Sequence, residues 1–385
     1  MKFLHLGDLH IGKSIGEFDL IEDQKFILDQ ILDIAAKNDI KYILIAGDVY
    51  DKSVPSEAAV RLFDYFICRL AKERIKTFII TGNHDSDERM HFGSSLFEAR
   101  DIYICAKYNG ELFRKEVEDE EGKVNIYLMP FIKASQVRHF YPDEKIENYD
   151  DAVRVVLDRS RIDPKERNIL VAHQFVAGRS ADPQFGGSES VSTQTVGLVE
   201  KIGADCFKDF DYVALGHIHS AQSVGREEIR YAGSLLKYSL SEASNQKFAT
   251  IVNLGKKGET DIRLEPLHPM RDLRHIKGRM HQLLKEENIV APEDFIYVTL
   301  TDEDFIDNVM SIFQQYYPNT IRIEYDNSHT KEIQQTDVAQ MAVNKTFGEM
   351  ISDFYQLVYG CEISEEELAL MNKIAGEAGV TNEAD

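Results

Sequence analysis

Five short segments concentrate side chains able to hold a metal ion. They are Asp8-Leu9-His10, Gly47-Asp48-Val49-Tyr50-Asp51, Gly82-Asn83-His84-Asp85, the lone His173, and Gly216-His217-Ile218-His219. On an extended chain, residues two apart point to the same side. Asp8 and His10 are therefore expected to face one ion together, as are His217 and His219. Glycine before Asp48, Asn83 and His217 lets the backbone turn sharply and approach a ligand closely. The donors are Asp8, His10, Asp48, Asn83, His173, His217 and His219. Mixed carboxylate, amide and imidazole donors suit Mn, Fe, Co or Zn better than Mg or a thiolate site. The set is too large for one first-row ion, but with a bridging carboxylate it suits two ions ~3.5–4 Å apart. Such a pair neutralises a phosphate and acidifies a water, which is the chemistry of phosphoester hydrolysis. Taken singly the motifs are weak: Gly47-Asp48 is commonplace, and an isolated His173 is more often a satisfied core histidine. As an ordered set they are not readily explained by packing.

Each segment follows a short apolar run, as expected if functional groups gather at the carboxyl ends of strands. The runs are Phe3–Leu6, Tyr42–Ala46, Thr77–Ile80, Ile126–Met129, Ile169–Ala172, Tyr212–Leu215, Ile229–Ala232 and Phe248–Val252. Runs of this length fit strands buried on both faces. Leu20–Asn38 carries Ile21, Phe26, Ile27, Ile31, Leu32 and Ile34 at helical spacing, and Ser56–Glu73 carries Val60, Phe63, Phe66, Ile67 and Leu70 likewise. Alternation of strand and helix predicts a layered α/β domain. Residues 178–190 have loop composition and could cover a substrate or simply be a surface excursion.

Composition shifts near Pro266–Pro269. Arg271–Glu287 reads as a basic segment leading into a helix, Phe295–Leu300 as a strand, Glu303–Gln315 as a helix and Thr320–Tyr325 as a strand. Residues 326–340 are polar and linker-like. Beyond them, Phe347, Met350, Ile351, Phe354, Leu357 and Val358 form one helical stripe closed by Gly360. Ser364 with Glu367 reads as a capping box opening a second helix that carries Leu368, Leu370, Met371 and Ile374.

The 385 residues carry 44 Lys and Arg against 66 Asp and Glu, a net charge of −22. Overall charge therefore does not hold a nucleic acid; metals or a partner must supply the local positive field. Residues 341–385 alone hold two lysines and nine acids, which excludes a DNA-binding arm there. The apolar stripe suits helix-in-groove docking or packing back on the catalytic domain. The four cysteines, Cys68, Cys105, Cys206 and Cys361, form no CxxC pair, so reduced thiols are expected rather than a disulfide framework or zinc ribbon. No signal peptide and no transmembrane run is read, and a cytoplasmic location is expected.

The order DxH, GDxxD, GNHD, H, GHxH resembles the calcineurin-like metallophosphoesterase superfamily over about residues 1–255. Phosphoprotein phosphatases of that superfamily read GDxVDRG and GNHE. Here Lys52 follows Asp51, and Asp85 ends the second motif. Lys2 to Gly12, Ala46 to Asp51, and Tyr231 to Ser234 with Pro266 to Arg274 are instead similar to the bacterial SbcD nucleases. That resemblance implies a layered β-sandwich flanked by helices at 1–268, a small α/β capping domain at 269–326, a linker at 327–340 and a C-terminal helix-loop-helix at 341–385. It implies two divalent metal ions, in the first place Mn. One would be held by Asp8, His10, Asp48 and His219, the other by Asp48, Asn83, His173 and His217, with Asp48 bridging. His84 would serve the leaving oxygen, with Asp85 orienting it; Asp51 is either a supporting or a structural residue. The implied activity is double-strand exonuclease and single-strand or hairpin endonuclease action in DNA end processing and repair. The implied partners are DNA, an SbcC-like coiled-coil ATPase docked on the helical tail, and a second copy of the chain joined through helices near residues 55–100. No membrane is implied. A phosphatase or phosphodiesterase for a small or protein substrate is the alternative, and a scaffold that kept the metals for structure is a third; the intact His84-Asp85 pair argues against the third.

Overall fold

In a computed structural model, the structure describes residues 1–178, 183–184, 201–328, 347–359 and 362–377. These form two compact units, Met1–Asp272 and Leu273–Asp385.

The first unit holds two six-stranded sheets. Across the first, the strands run Thr260–Pro266, Phe248–Leu254, Lys2–Leu6, Tyr42–Ala46, Lys76–Ile80 and Ile102–Cys105. The last four of these are parallel to one another. Across the second they run Gln222–Val224, Arg226–Tyr231, Tyr212–Gly216, Arg167–His173, Gly122–Met129 and Phe113–Asp119. The sheets pack face to face: Phe3, Leu44, Phe78 and Ile80 meet Val124, Ile126, Val171 and Tyr212 in one buried cluster. On its other face the first sheet buries Leu4, Leu6, Ile43, Ile45 and Ile79. The helices Ile21–Lys37 and Glu57–Lys72 bury Ile27, Ile31, Phe66 and Leu70. The second sheet's outer face packs with Val137, Val153 and Val156 from the helices Ala134–Phe140 and Tyr149–Arg159. The central strands are thus buried on both faces, which explains their unbroken apolar runs.

All eight predicted runs lie within or overlap observed strands. Two strands absent from that reading, Phe113–Asp119 and Thr260–Pro266, sit at sheet edges and largely alternate half-buried with exposed residues. One wet face leaves no continuous apolar run to read. Phe26 and Val60, read into the buried stripes, are 43% and 46% exposed.

In the second unit, Leu273–Gly278, Phe295–Leu300 and Thr320–Tyr325 form a parallel three-stranded sheet. The basic segment after Arg271 is therefore a strand followed by one helical turn at Met280–Leu283, not a lead into a helix. Its charged residues Arg274 and Lys277 hide the strand's alternation. The helix read over Glu303–Gln315 is shorter, Val309–Gln314, because the left-handed Asn308 (φ 52°) marks its entry. Ile296, Val298, Leu300, Phe313 and Tyr317 form this unit's core. The helices Phe347–Tyr359 and Glu365–Glu377 follow, and the capping box is present: the Glu367 carboxylate accepts from the Ser364 N–H at 3.1 Å while the Ser364 hydroxyl accepts from the Glu367 N–H at 3.3 Å. Of the linker read at 327–340, only Asn327 and Ser328 are among the described residues, and of the 178–190 loop only Gly178, Pro183 and Gln184. Among the described residues no helix is long and apolar enough to cross a membrane.

Candidate metal centre

The five segments converge at the carboxyl ends of the strands Lys2–Leu6, Tyr42–Ala46, Lys76–Ile80, Arg167–His173 and Tyr212–Gly216. They do not do so as extended chain. Asp8, His10, Asp48 and His217 all have positive φ, at 51°, 44°, 48° and 103°. The expected pairing of residues two apart on a strand is replaced by backbone turned back over the strand ends. Such conformations cost of order 1–3 kcal/mol each for a non-glycine residue. Main-chain hydrogen bonds between segments help offset this: His10 N–H to the Asp48 carbonyl and Ile11 N–H to the Val49 carbonyl, both at 2.9 Å. The glycines matter through contact. A Cβ on Gly82 would lie 2.1 Å from Asp48 Oδ1, and one on Gly216 would lie 1.9 Å from the Ala46 carbonyl oxygen.

Asp48 occupies the middle of the cluster. Its Oδ1 accepts from the His84 N–H at 2.9 Å, and its Oδ2 lies 3.4 Å from His173 Nε2 and 3.7 Å from His10 Nε2. On one side, donor atoms of Asp8, His10 and His219 all lie within 4.8 Å of one another; on the other, so do those of Asp8, Asp48 and His173. Asn83 Oδ1 is 3.1 Å from both His173 Nε2 and His217 Nδ1. Asp8 accepts from the His217 N–H through both oxygens, at 2.9 and 3.1 Å. Every predicted metal-ligand residue is therefore in one cluster.

Burial and the neighbouring charges together set the protonation states. Burial holds His10 well below the ordinary imidazole value, and it depresses His217 to about 3 with help from the His173 charge. Burial lifts Asp8 to about 6 against the pull of His173 and His219. For Asp48 burial works against ionisation, but the neighbouring histidines win and hold it well below the carboxylate range. Asp48 in turn outweighs burial at His173 and raises it to about 9.

The donor set fits divalent cations. The Nε2 atoms of His10 and His219 face each other at 3.0 Å. At that separation both Nε2 lone pairs could serve one shared cation. Nδ1 of His10 is buried and makes no hydrogen bond, with Asp51 Oδ1 3.6 Å away. The imidazoles of His10 and His217, held neutral beside buried carboxylates, offer lone pairs to a cation.

His84 is half-buried beside this cluster, its ring 4.9 Å from that of His10 and nearly perpendicular to it. Its Nδ1 lies 2.9 Å from the carbonyl of Asp51. A carbonyl only accepts, so Nδ1 carries the proton. Here the expectation for Asp85 needs correction: it does not orient His84. Its carboxylate accepts from the backbone N–H groups of Val49, Tyr50 and Gly82 at 3.1, 2.9 and 3.0 Å. Asp85 splices the second segment to the third, and burial together with the Asp48 charge raises it to about 6. Asp51 supports the site: its Oδ1 lies 3.6 Å from His10 Nδ1 and 2.7 Å from Lys13 Nζ.

Sequence reasoning missed several supporting residues. Gln24 donates to the His10 carbonyl at 2.7 Å and Tyr238 to the Leu9 carbonyl at 2.7 Å, pinning the first segment. Phe131 stacks near His217, centroids 6.5 Å apart. Glu242 is fully buried with Oε1 3.6 Å from His219 Nδ1. Burial opposes its ionisation, yet His219 and Lys247 hold it down to about 2. Gln24 and Phe131 look like ordinary residues of a helix and an apolar run, and neither Glu242 nor Lys247 sits in a recognisable motif.

Known proteins resemble this chain over most of its length. The calcineurin-like phosphoesterase family model matches residues 1–221. A second, described as the type 5 capsule protein repressor C-terminal domain, matches residues 269–359. The chain is 33% identical over 329 residues to the SbcD subunit of the SbcCD nuclease of Staphylococcus epidermidis, covering 84% of this chain and 85% of that one. Among solved structures, a dimetal phosphatase from Danio rerio is similar with a TM-score of 0.40 at 11% identity, covering 69% of this chain and 96% of that one. A protein of Thermus thermophilus has a TM-score of 0.40 at 10% identity, covering 68% and 98%. Strand-end donors in this order and identity over both units lead to one conclusion: the chain belongs to the calcineurin-like phosphoesterase family, in the branch of the SbcD nucleases.

Proposed function

We propose that the chain is a metal-dependent DNA nuclease, the nuclease component of an SbcCD-type complex, using two divalent ions, in the first place Mn. The observation that carries this reading is identity to an SbcD nuclease across 84% of the chain, with the donors its chemistry needs gathered in one cluster. One ion would be held by Asp8, His10, Asp48 and His219, the other by Asp48, Asn83, His173 and His217. The central place of Asp48 supports its role as the bridge. Bound cations would supply charge neutralisation of the phosphodiester and an acidified water. His84, its Nδ1 proton committed to the Asp51 carbonyl, would use Nε2 to give a proton to the leaving oxygen. Asp85 acts at one remove, by holding the segments that carry Asp48 and His84.

Exonuclease action on duplex ends and endonuclease action on single strands and hairpins are proposed for the same site. The helices Phe347–Tyr359 and Glu365–Glu377 would dock on an SbcC-like coiled-coil ATPase; exposed Phe354, Leu370, Met371 and Ile374 support this. Homodimerisation near residues 55–100 is supported by exposed Val60, Phe92 and Leu96. The domain scheme read from the sequence and a cytoplasmic location accompany this proposal.

The test is incubation of the full chain with Mn²⁺ and end-labelled linear duplex DNA, circular single-stranded DNA or p-nitrophenyl phosphate, beside a His84→Ala control. DNA cleavage lost in the control supports the reading. Turnover of the monoester alone overturns it.

A further inference from the structure

The imidazoles of the cluster are braced in two different ways. His173 Nδ1 donates to the neutral Ala46 carbonyl at 2.7 Å, whereas His217 Nδ1 faces the Asn83 amide oxygen, a donor of the same site, at 3.1 Å. His10 and His219 instead each lie against a carboxylate that is itself tied to a lysine. His10 Nδ1 is 3.6 Å from Asp51, which pairs with Lys13 at 2.7 Å. His219 Nδ1 is 3.6 Å from Glu242, which pairs with Lys247 at 2.5 Å.

The second of these arrangements lies wholly inside the protein. Glu242 is 0% and Lys247 6% exposed. Lys247 Nζ also donates to the His219 carbonyl at 2.9 Å and to Ser234 Oγ at 2.8 Å. Lys247 thus grips His219 by its main chain and, through Glu242, by its ring. A buried ion pair of this kind gives little net stability, because desolvation of the two charges offsets their attraction. Its presence beside one ring nitrogen calls for another account. Since His219 Nε2 faces His10 Nε2, Nδ1 is the nitrogen left for the carboxylate. A carboxylate on Nδ1 fixes the tautomer that presents the Nε2 lone pair, and it makes that nitrogen a better donor.

We infer that the buried Glu242–Lys247 pair positions His219 and makes the two cation sites unequal, tightening the one built on Asp8, His10 and His219. Glu242 and Lys247 are positioning residues; neither touches substrate. The lysine cancels the carboxylate's charge, so the site gains orientation without a further net negative charge. The inference rests on the two-metal reading proposed above.

The test is calorimetric titration of Mn²⁺ into the metal-free full chain, with thermal melting of the same metal-free samples. In Glu242→Gln, one of the two binding events is expected to weaken by ~10–100-fold, the usual consequence of removing such a partner, with the other unchanged. Glu242→Gln leaves Lys247 buried without its carboxylate and could fail to fold. The double variant Glu242→Gln/Lys247→Met removes both charges together and is titrated in parallel. If the pair served only stability, the double variant would restore wild-type binding; if it positions His219, the selective weakening persists. Unchanged affinities, or an equal loss in both events, overturn the inference while leaving the two-metal reading standing. A wild-type chain that binds no Mn²⁺ overturns both.

Discussion

His84 Nδ1 donates to the main-chain carbonyl of Asp51 at 2.9 Å, so its orientation depends on backbone rather than on a carboxylate. No side-chain substitution nearby removes that acceptor. His84→Ala should therefore lower turnover by ~10²–10⁴-fold, the usual worth of a placed general acid. Mn²⁺ affinity and thermal stability should stay near wild type. Steady-state DNA cleavage beside a metal titration checks this; near-normal cleavage would remove His84 from the chemistry.

Asp85→Ala should behave differently. It leaves the N–H groups of Val49, Tyr50 and Gly82 without their acceptor. Each buried orphan costs about 1–3 kcal/mol, though the three losses need not add. The expected outcome is reduced stability of the metal-free protein in urea, with weakened metal binding following. Full stability with lost turnover would show instead that Asp85 acts on His84.

Asp48→Ala should abolish binding of both cations, because Asp48 stands near His10, His173 and the His84 N–H together. One cation retained at wild-type affinity would argue that Asp48 is not the bridge.

Gly82→Ala would place a methyl 2.1 Å from Asp48 Oδ1. Metal binding should fall with it. Gly122→Ala is the control: it has φ 104° and nothing within 4 Å, so it should cost stability but spare the metals. Equal metal loss in both would point to general unfolding.

Asp119 sets part of the acid limb of stability. Burial works against its ionisation, but hydrogen bonds from Arg167 and the terminal ammonium outweigh this and hold the carboxyl well below its ordinary value. A carboxyl depressed on folding stabilises above its unfolded value near pH 4 and loses that contribution as pH falls toward the folded value. Asp119→Asn should lower stability at neutral pH and flatten its decline between about pH 2 and pH 6. Chemical unfolding across that range reads this directly; parallel acid limbs would refute it.

Local patterns carried much of the architecture. Apolar runs located the inner strands, helical stripes located the long helices, and Ser364 with Glu367 announced its own capping box. Edge strands such as Thr260–Pro266 were illegible because half their residues meet water. The Arg274 strand was hidden because its charges broke the alternation.

The sequence by itself determined which donors the site has and that each lies at the end of a buried strand. Burial is largely a local property, written in periodicity. Only the tertiary structure decided who touches whom. Parallel register sets His173 beside Gly216, and Gly216 admits no side chain because the Ala46 carbonyl fills that space. It is also the tertiary structure that turns Asp8, His10 and Asp48 into left-handed backbone, gives Asp85 to three amides rather than to His84, and brings Glu242 to His219. These contacts depend on sheet register and crossover geometry, which join residues far apart in the chain and leave no periodic trace along it.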